Sequence, residues 1–145
     1  MEMVLFIGIP ASGKSSFYKE RFFLTHVRVN RDMLKTHRRE ELLIKACLEG
    51  KTGLVIENTN LTRAVRAPYI DLAKRAGFKL AAYFFESPAI EAVNRNKLRP
   101  EVERVPAVAI WAANKRLEAP SREEGFDELF RVRMIQPAGF SVEPI

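Results

Sequence analysis

The run Gly8-Ile9-Pro10-Ala11-Ser12-Gly13-Lys14-Ser15 constrains this chain more than any other feature. A glycine, four residues and then Gly-Lys-Ser form a phosphate-loop pattern, which is specific only in the right setting. That setting is present. Met3-Val4-Leu5-Phe6-Ile7 before the loop is an apolar run of buried-strand length, and Ser16 to Phe23 after it suits a helix. Between strand and helix, backbone N–H groups can curl around phosphate oxygens while the helix N-terminus adds partial positive charge. Lys14 would reach the β- and γ-phosphates, and the Ser15 hydroxyl would ligate Mg²⁺. The expected nucleotide contacts are Gly8, Pro10, Ala11, Ser12, Gly13, Lys14, Ser15 and Ser16.

Apolar and amphipathic segments alternate beyond the loop. Strands are expected at Val4 to Ile9, Val27 to Asn30, Leu54 to Ile56, Lys79 to Phe85 and Leu129 to Ile135. Helices are expected from Lys14 to about Leu24, Asp32 to Glu49, Thr62 to Ala76, Pro88 to about Asn96 and Pro106 to Leu117. Thr62 supplies an N-cap and Gly77 a stop for the third of these. The stretch from Lys97 to Val105 reads as irregular, and the tail from Gln136 to Ile145 as partly loose. Strands separated by helices pair in parallel through crossover connections. The expectation is one three-layer α/β domain over residues 1–145, with a mostly parallel five-stranded sheet. Its ligand site would lie at the carboxyl ends of the strands.

Composition narrows the setting. The chain has 145 residues, enough for one domain with a real core. No apolar run is long enough to span a membrane, and the start lacks the basic region of a signal peptide. The single cysteine, Cys47, has no partner for an internal disulfide, which fits a reducing cytoplasm. On a helix it shares a face with Leu43 and Ala46, as a small core residue would. One cysteine and the two histidines, His26 and His37, cannot close a zinc site. The net charge of +6 favours a polyanionic partner. Trp111, at helical spacing from Val108 and Lys115, reads as a packing residue.

Three further clusters bear on chemistry. Asn30-Arg31-Asp32 ends the second strand, where a carboxylate can take the proton of an attacking hydroxyl; Asp32 would equally serve as a helix cap. In one continuous helix, Lys35 and Arg39 would share the face of Asp32 and hold an anionic acceptor. Glu57-Asn58-Thr59-Asn60 follows the third strand, where it could orient Mg²⁺ or the acceptor, or simply form a strand-end turn. Arg95, Lys97, Arg99 and Arg104 crowd one segment between helices. Arginines on such a segment can neutralise a transferring phosphoryl group, or lie solvated in water.

In this order and spacing the motifs resemble the kinase domain of 5′-hydroxyl polynucleotide kinases. The resemblance covers nearly the whole chain. The loop matches G-x-P-x-S-G-K-S/T, Asn30-Arg31-Asp32 matches the general-base motif, Glu57 to Asn60 matches a D-N-T-N-like quartet, and Arg95-Asn96-Lys97-Leu98-Arg99 matches R-N-x-x-R of a helical lid. The resemblance implies a P-loop kinase fold that uses ATP and Mg²⁺. Lys14, Asp32 and Arg99 would be catalytic, with Ser15 and Glu57 at the metal. Arg95 and Arg131 would lie against the nucleotide. Arg31, Lys35, Arg39, Asn58 and Asn60 would face the acceptor, a DNA or RNA 5′-OH end. Lys35 stands where some relatives carry an arginine and lacks its bidentate geometry. The quartet begins with Glu57 rather than aspartate, and Asn58 stands where some relatives have aspartate. A kinase of a small hydroxylated molecule, and a module that binds nucleic acid ends without transfer, use much of the same machinery and stay open.

Overall fold

The computed structural model describes residues 1–145. Its strands are β1 (Glu2–Ile7), β2 (Val27–Val29), β3 (Leu54–Glu57), β4 (Lys79–Phe85), β5 (Glu128–Met134) and β6 (Phe140–Pro144). Its helices are α1 (Lys14–Arg21), α2 (Arg31–Leu34), α3 (His37–Glu49), α4 (Arg63–Arg75), α5 (Ala89–Lys97) and α6 (Ala107–Arg116). The six strands form one sheet in the order β2-β3-β1-β4-β5-β6, parallel except for the last pair.

Alternation along β1 builds the layers. Met3, Leu5 and Ile7 join Ile44 and Cys47 of α3 and Ile70 and Ala73 of α4 in one core. Val4 and Phe6 turn the other way, onto Phe17, Tyr18 and Phe22 from the segment of α1. These five of the six β1 side chains are fully buried, as expected of a central parallel strand covered on both faces. A third cluster joins Ile9, Ala11 and Leu61 to Ala92 of α5 and to Ile110 and Ala113 of α6, which seats the lid helices beside the phosphate loop.

Three expectations need correction. The helix expected from Asp32 to Glu49 is two helices. Lys35 takes a positive φ of 76°, and Thr36 opens α3 by accepting a hydrogen bond from Arg39 N at 3.2 Å. The tail is not loose. Phe140 and Val142 alternate inward on β6, and the Phe140 ring lies 5.1 Å from that of Phe17, so the tail covers the open edge of β5. Trp111 does not pack. It is 48% exposed because α6 turns Ile110 and Ala113 to the core and Val108 and Trp111 outward.

Candidate active site

The phosphate loop is shaped by its glycines. Gly8 N–H donates to Thr59 O at 3.0 Å, and a Cβ on Gly8 would meet Ser12 Oγ at 2.9 Å and Phe85 Cβ at 3.0 Å. Gly13 has a φ of +98°, which a side chain rarely adopts. The loop wraps the Lys14 amino group, whose Nζ donates to Gly8 O at 2.9 Å and Ile9 O at 2.7 Å. Burial pushes the Lys14 pKa down to about 7. Glu57 and Asp32 oppose that shift, while Arg99 adds to it.

Parallel register brings the other motifs to the same edge. Phe6 of β1 lies opposite Glu57 and Val29 of β2 opposite Ile56, so the chain leaves β2 and β3 beside the loop. Asn30 caps α2, its Oδ1 accepting from Met33 N at 2.9 Å. The capping role is thus taken, and the Asp32 carboxylate lines the cleft. Asn58 Oδ1 accepts from Arg31 N at 2.9 Å and holds the start of α2 against the quartet. Arg31 Nε donates to Glu40 Oε2 at 2.5 Å, and Tyr69 OH donates to Glu40 Oε1.

Glu57 is buried. Its Oε2 accepts from Arg28 Nε at 2.7 Å and Asn30 Nδ2 at 2.8 Å, whereas Oε1 has no partner. Arg28 Nη2 also donates to Ser15 Oγ at 3.4 Å. A hydroxyl at the helix start and an orphaned carboxylate oxygen suit Mg²⁺, which takes one or two protein oxygens and completes its shell with phosphates and water.

The lid closes the other side. Arg95 Nε donates to Ala11 O at 2.8 Å and Nη2 to Ser87 Oγ, which ties α5 to the loop. Asn96 exchanges bonds with the Val105 backbone, its Nδ2 donating to the carbonyl at 2.7 Å and its Oδ1 accepting from the N–H at 3.1 Å. Arg99 lines the same cleft as Asp32, and Arg104 Nε donates to Arg99 O at 2.7 Å.

One cleft of about 380 Å³ therefore gathers Lys14, Ser15, Asp32, Glu57, Asn58 and Arg99. Arg31 and Asn60 also line it, but the Asn60 amide donates to Phe6 O at 2.7 Å inside the fold, so Asn60 clasps β1 rather than facing an acceptor. A second hollow of about 360 Å³ touches Gly13, Ser16, Arg95, Leu98 and Met134 on the outer side of the loop. Five expected residues reach neither space. Gly8 and Ser12 are buried within the loop. Lys35 ends α2, and because α3 restarts the helix, the face expected to join Asp32, Lys35 and Arg39 does not form. Arg39 Nη1 instead donates to Leu34 O at 3.2 Å. Arg131 pairs with Glu86 at 3.0 Å. Sequence reasoning missed Arg28, Glu40, Arg66 and Tyr69. Of these, Arg66 sits on α4 with its guanidinium bonded to the carbonyls of Asn60, Leu61 and Glu118, which holds the quartet loop in place.

Residues 3–120 match the family model described as an AAA domain. The chain is 30% identical over 138 residues to the bifunctional polynucleotide phosphatase/kinase of Schizosaccharomyces pombe, covering 90% of this chain and 33% of that protein. It is 31% identical over 135 residues to a putative bifunctional polynucleotide phosphatase/kinase of Acanthamoeba polyphaga mimivirus, covering 88% of this chain and 32% of that one. The chain thus spans about a third of the length of the curated relatives it matches. Among solved structures, a gluconokinase from Sinorhizobium meliloti superposes with a TM-score of 0.65 at 19% identity, over 94% of this chain and 84% of that one. That likeness is one of fold.

Proposed function

This chain belongs to that AAA-domain family, and we propose that it transfers the γ-phosphoryl group of ATP to the 5′-hydroxyl end of DNA or RNA. The observation that carries this reading is the meeting of Asp32, Lys14, Ser15 and Arg99 in one cleft, with the capping role already filled by Asn30. The acceptor class is supported by the similarity to two proteins named polynucleotide phosphatase/kinase and by the net charge of +6, which suits a polyanion.

The chemistry then divides among residues of the chain. The acceptor 5′-oxygen attacks the γ-phosphorus as the bond to the ADP oxygen breaks, and Asp32 takes the hydroxyl proton. The N–H groups of the loop hold the phosphates, and Lys14 leaves its own loop carbonyls for them. Arg99 meets the charge that spreads over the transferring group. Ser15 and Glu57 would hold Mg²⁺, which when bound draws off phosphate charge. Arg31, fixed by Glu40, faces the cleft beside Asp32 and would receive an acceptor phosphate. Positioning and electrostatics of this kind account for most catalysis in phosphoryl transfer.

The test uses γ-labelled ATP, Mg²⁺ and matched oligonucleotides, 5′-hydroxyl and 5′-phosphorylated, in DNA and RNA forms. Label is expected only on 5′-hydroxyl strands and is lost in Asp32→Ala. An absence of transfer to every strand while nucleotide still binds overturns the acceptor assignment and directs the search to small hydroxylated acceptors. Persistence of strand binding and loss of ATP turnover would make the chain a binding module.

A further inference from the structure

Arg28 is the one cation that touches both prospective metal-binding side chains. It lies on β2, the edge strand, at the position opposite Val55. Its guanidinium carbon lies 6.0 Å from the centre of the Tyr18 ring, and it reaches over the first turn of α1. There Nε donates to Glu57 Oε2 at 2.7 Å and Nη2 to Ser15 Oγ at 3.4 Å. Arg28 is 30% exposed on its side chain while Glu57 is 1% exposed, so the cation has an exit to water and the carboxylate has none.

The arrangement is incomplete in a telling way. A buried carboxylate oxygen without a partner is costly, and native structures rarely leave one. Glu57 Oε1 is such an oxygen, although a guanidinium is within reach of the other oxygen of the same group. The bond to Ser15 is long. Arg28 therefore neutralises Glu57 without satisfying it, and it covers the hydroxyl that a hard cation needs. A divalent cation bound to Ser15 beside Glu57 would sit within a few ångströms of a guanidinium. At that range like charges repel strongly in a partly buried site.

We propose that Arg28 is a tethered cation that holds the Ser15–Glu57 position in the nucleotide-free protein, and that a divalent metal enters with nucleotide only by displacing it from Ser15. Arg28 thereby sets how much metal the nucleotide complex requires. The inference rests on the nucleotide-binding half of the proposed function and is independent of the acceptor. A failed transfer assay with intact ADP binding removes the polynucleotide reading and leaves this one standing.

The test is calorimetric titration of ADP at a series of free Mg²⁺ concentrations, with wild type, Arg28→Gln and Arg28→Lys, each checked for folding by circular dichroism. The free Mg²⁺ needed for half of the gain in ADP affinity is expected to fall about tenfold in Arg28→Gln, because one repelling charge is gone. It stays near the wild-type value in Arg28→Lys, which keeps the charge. An unchanged or higher requirement in Arg28→Gln overturns the proposal, as does a loss of all Mg²⁺ effect on ADP affinity in every protein. Should Arg28→Gln not fold, the wild-type protein decides by nuclear magnetic resonance. The Arg28 Nε–H signal, identified by its absence in Arg28→Lys, is expected to shift when Mg²⁺ and ADP are added together and to hold with ADP in chelator. A signal unmoved by both overturns the proposal.

Discussion

Arg66 grips Glu124 with two parallel hydrogen bonds, Nε to Oε1 at 2.8 Å and Nη2 to Oε2 at 3.1 Å, and its own side chain is wholly removed from water. The remaining Nη1 donates to three carbonyls, including Asn60 O at 2.9 Å. The pair therefore links α4, the quartet loop and the connection ahead of β5. Breaking one partner of a buried pair strands the other charge, which typically costs about 3–5 kcal/mol. Arg66→Met is expected to lower stability by about that amount in urea denaturation. Arg66→Met with Glu124→Leu should recover part of it, since no charge is then stranded. An Arg66→Met protein as stable as wild type would show that the pair is not the clasp described.

Arg66 also marks where the sequence stops being legible. The loop, the strand edges and α4 could be read locally. Thr62 accepts from Val65 N at 3.2 Å as an N-cap, and Gly77, the expected stop, has a positive φ of 71°. Arg66 looks like any cation on an amphipathic helix until a partner 58 positions away buries it. Arg28 with Glu57 and Arg31 with Glu40 were hidden for the same reason, because sequence does not tell which charges leave water together. Two other misses had local signals. Thr36 stands three residues before Arg39 as an N-cap would, inside what looked like one helix. Lys115 shares the stripe of Val108 and Trp111, which already pointed that stripe to solvent.

Lys14 carries a pH signature. Burial holds its pKa near 7 in the nucleotide-free protein, far below an ordinary lysine. A polyphosphate beside it favours the charged form. Above pH 7 the free protein is mostly unprotonated at Lys14, so nucleotide binding takes up a proton. At pH 8.5, where ADP is fully ionised, calorimetry in buffers of different ionisation enthalpy should find an uptake of nearly one proton, and ADP affinity should fall as pH rises. Stability of the free protein has the opposite sign. The unfolded lysine binds the proton more tightly, so stability rises with pH from about 7 to the ordinary lysine range. Zero proton uptake at pH 8.5 would place Lys14 in the charged state throughout.

Gly13 and Gly77 separate backbone strain from contact. Gly13 has a φ of +98° and a Cβ there would lie 3.0 Å from both Met134 Sδ and Phe140 Cε1. Gly77 has a φ of +71° with nothing within 4 Å. Gly77→Ala is expected to cost about 1 kcal/mol of strain alone. Gly13→Ala should cost more, by about 1–3 kcal/mol for the crowding, as read from urea denaturation. Only Gly13→Ala should weaken ADP binding, since it disturbs the N–H groups of the loop. Equal stability losses would assign both effects to φ.

Glu40 is buried between Arg31 and Tyr69, and the three form a relay that ends at the cleft. Burial by itself raises the Glu40 carboxyl. Bonds from Arg31 and Tyr69 outweigh it and hold the carboxyl below the usual carboxylate range, while Tyr69 is pushed up to about 12, by burial first and then by Glu40. A depressed carboxyl adds stability that is present above its unfolded pKa and is lost as pH falls through the folded one. Glu40→Gln should therefore flatten the acid limb of the stability curve. It should also release Arg31 from its fixed aim. The bond to a charged partner is typically worth about 1.5–3 kcal/mol, so KM for a 5′-hydroxyl oligonucleotide is expected to rise about tenfold or more while kcat changes little. Tyr69→Phe leaves the Arg31–Glu40 pair intact and should be the milder change. A fall in kcat with KM unchanged in Glu40→Gln would instead connect the relay to Asp32, through the short helix that Arg31 and Asp32 share.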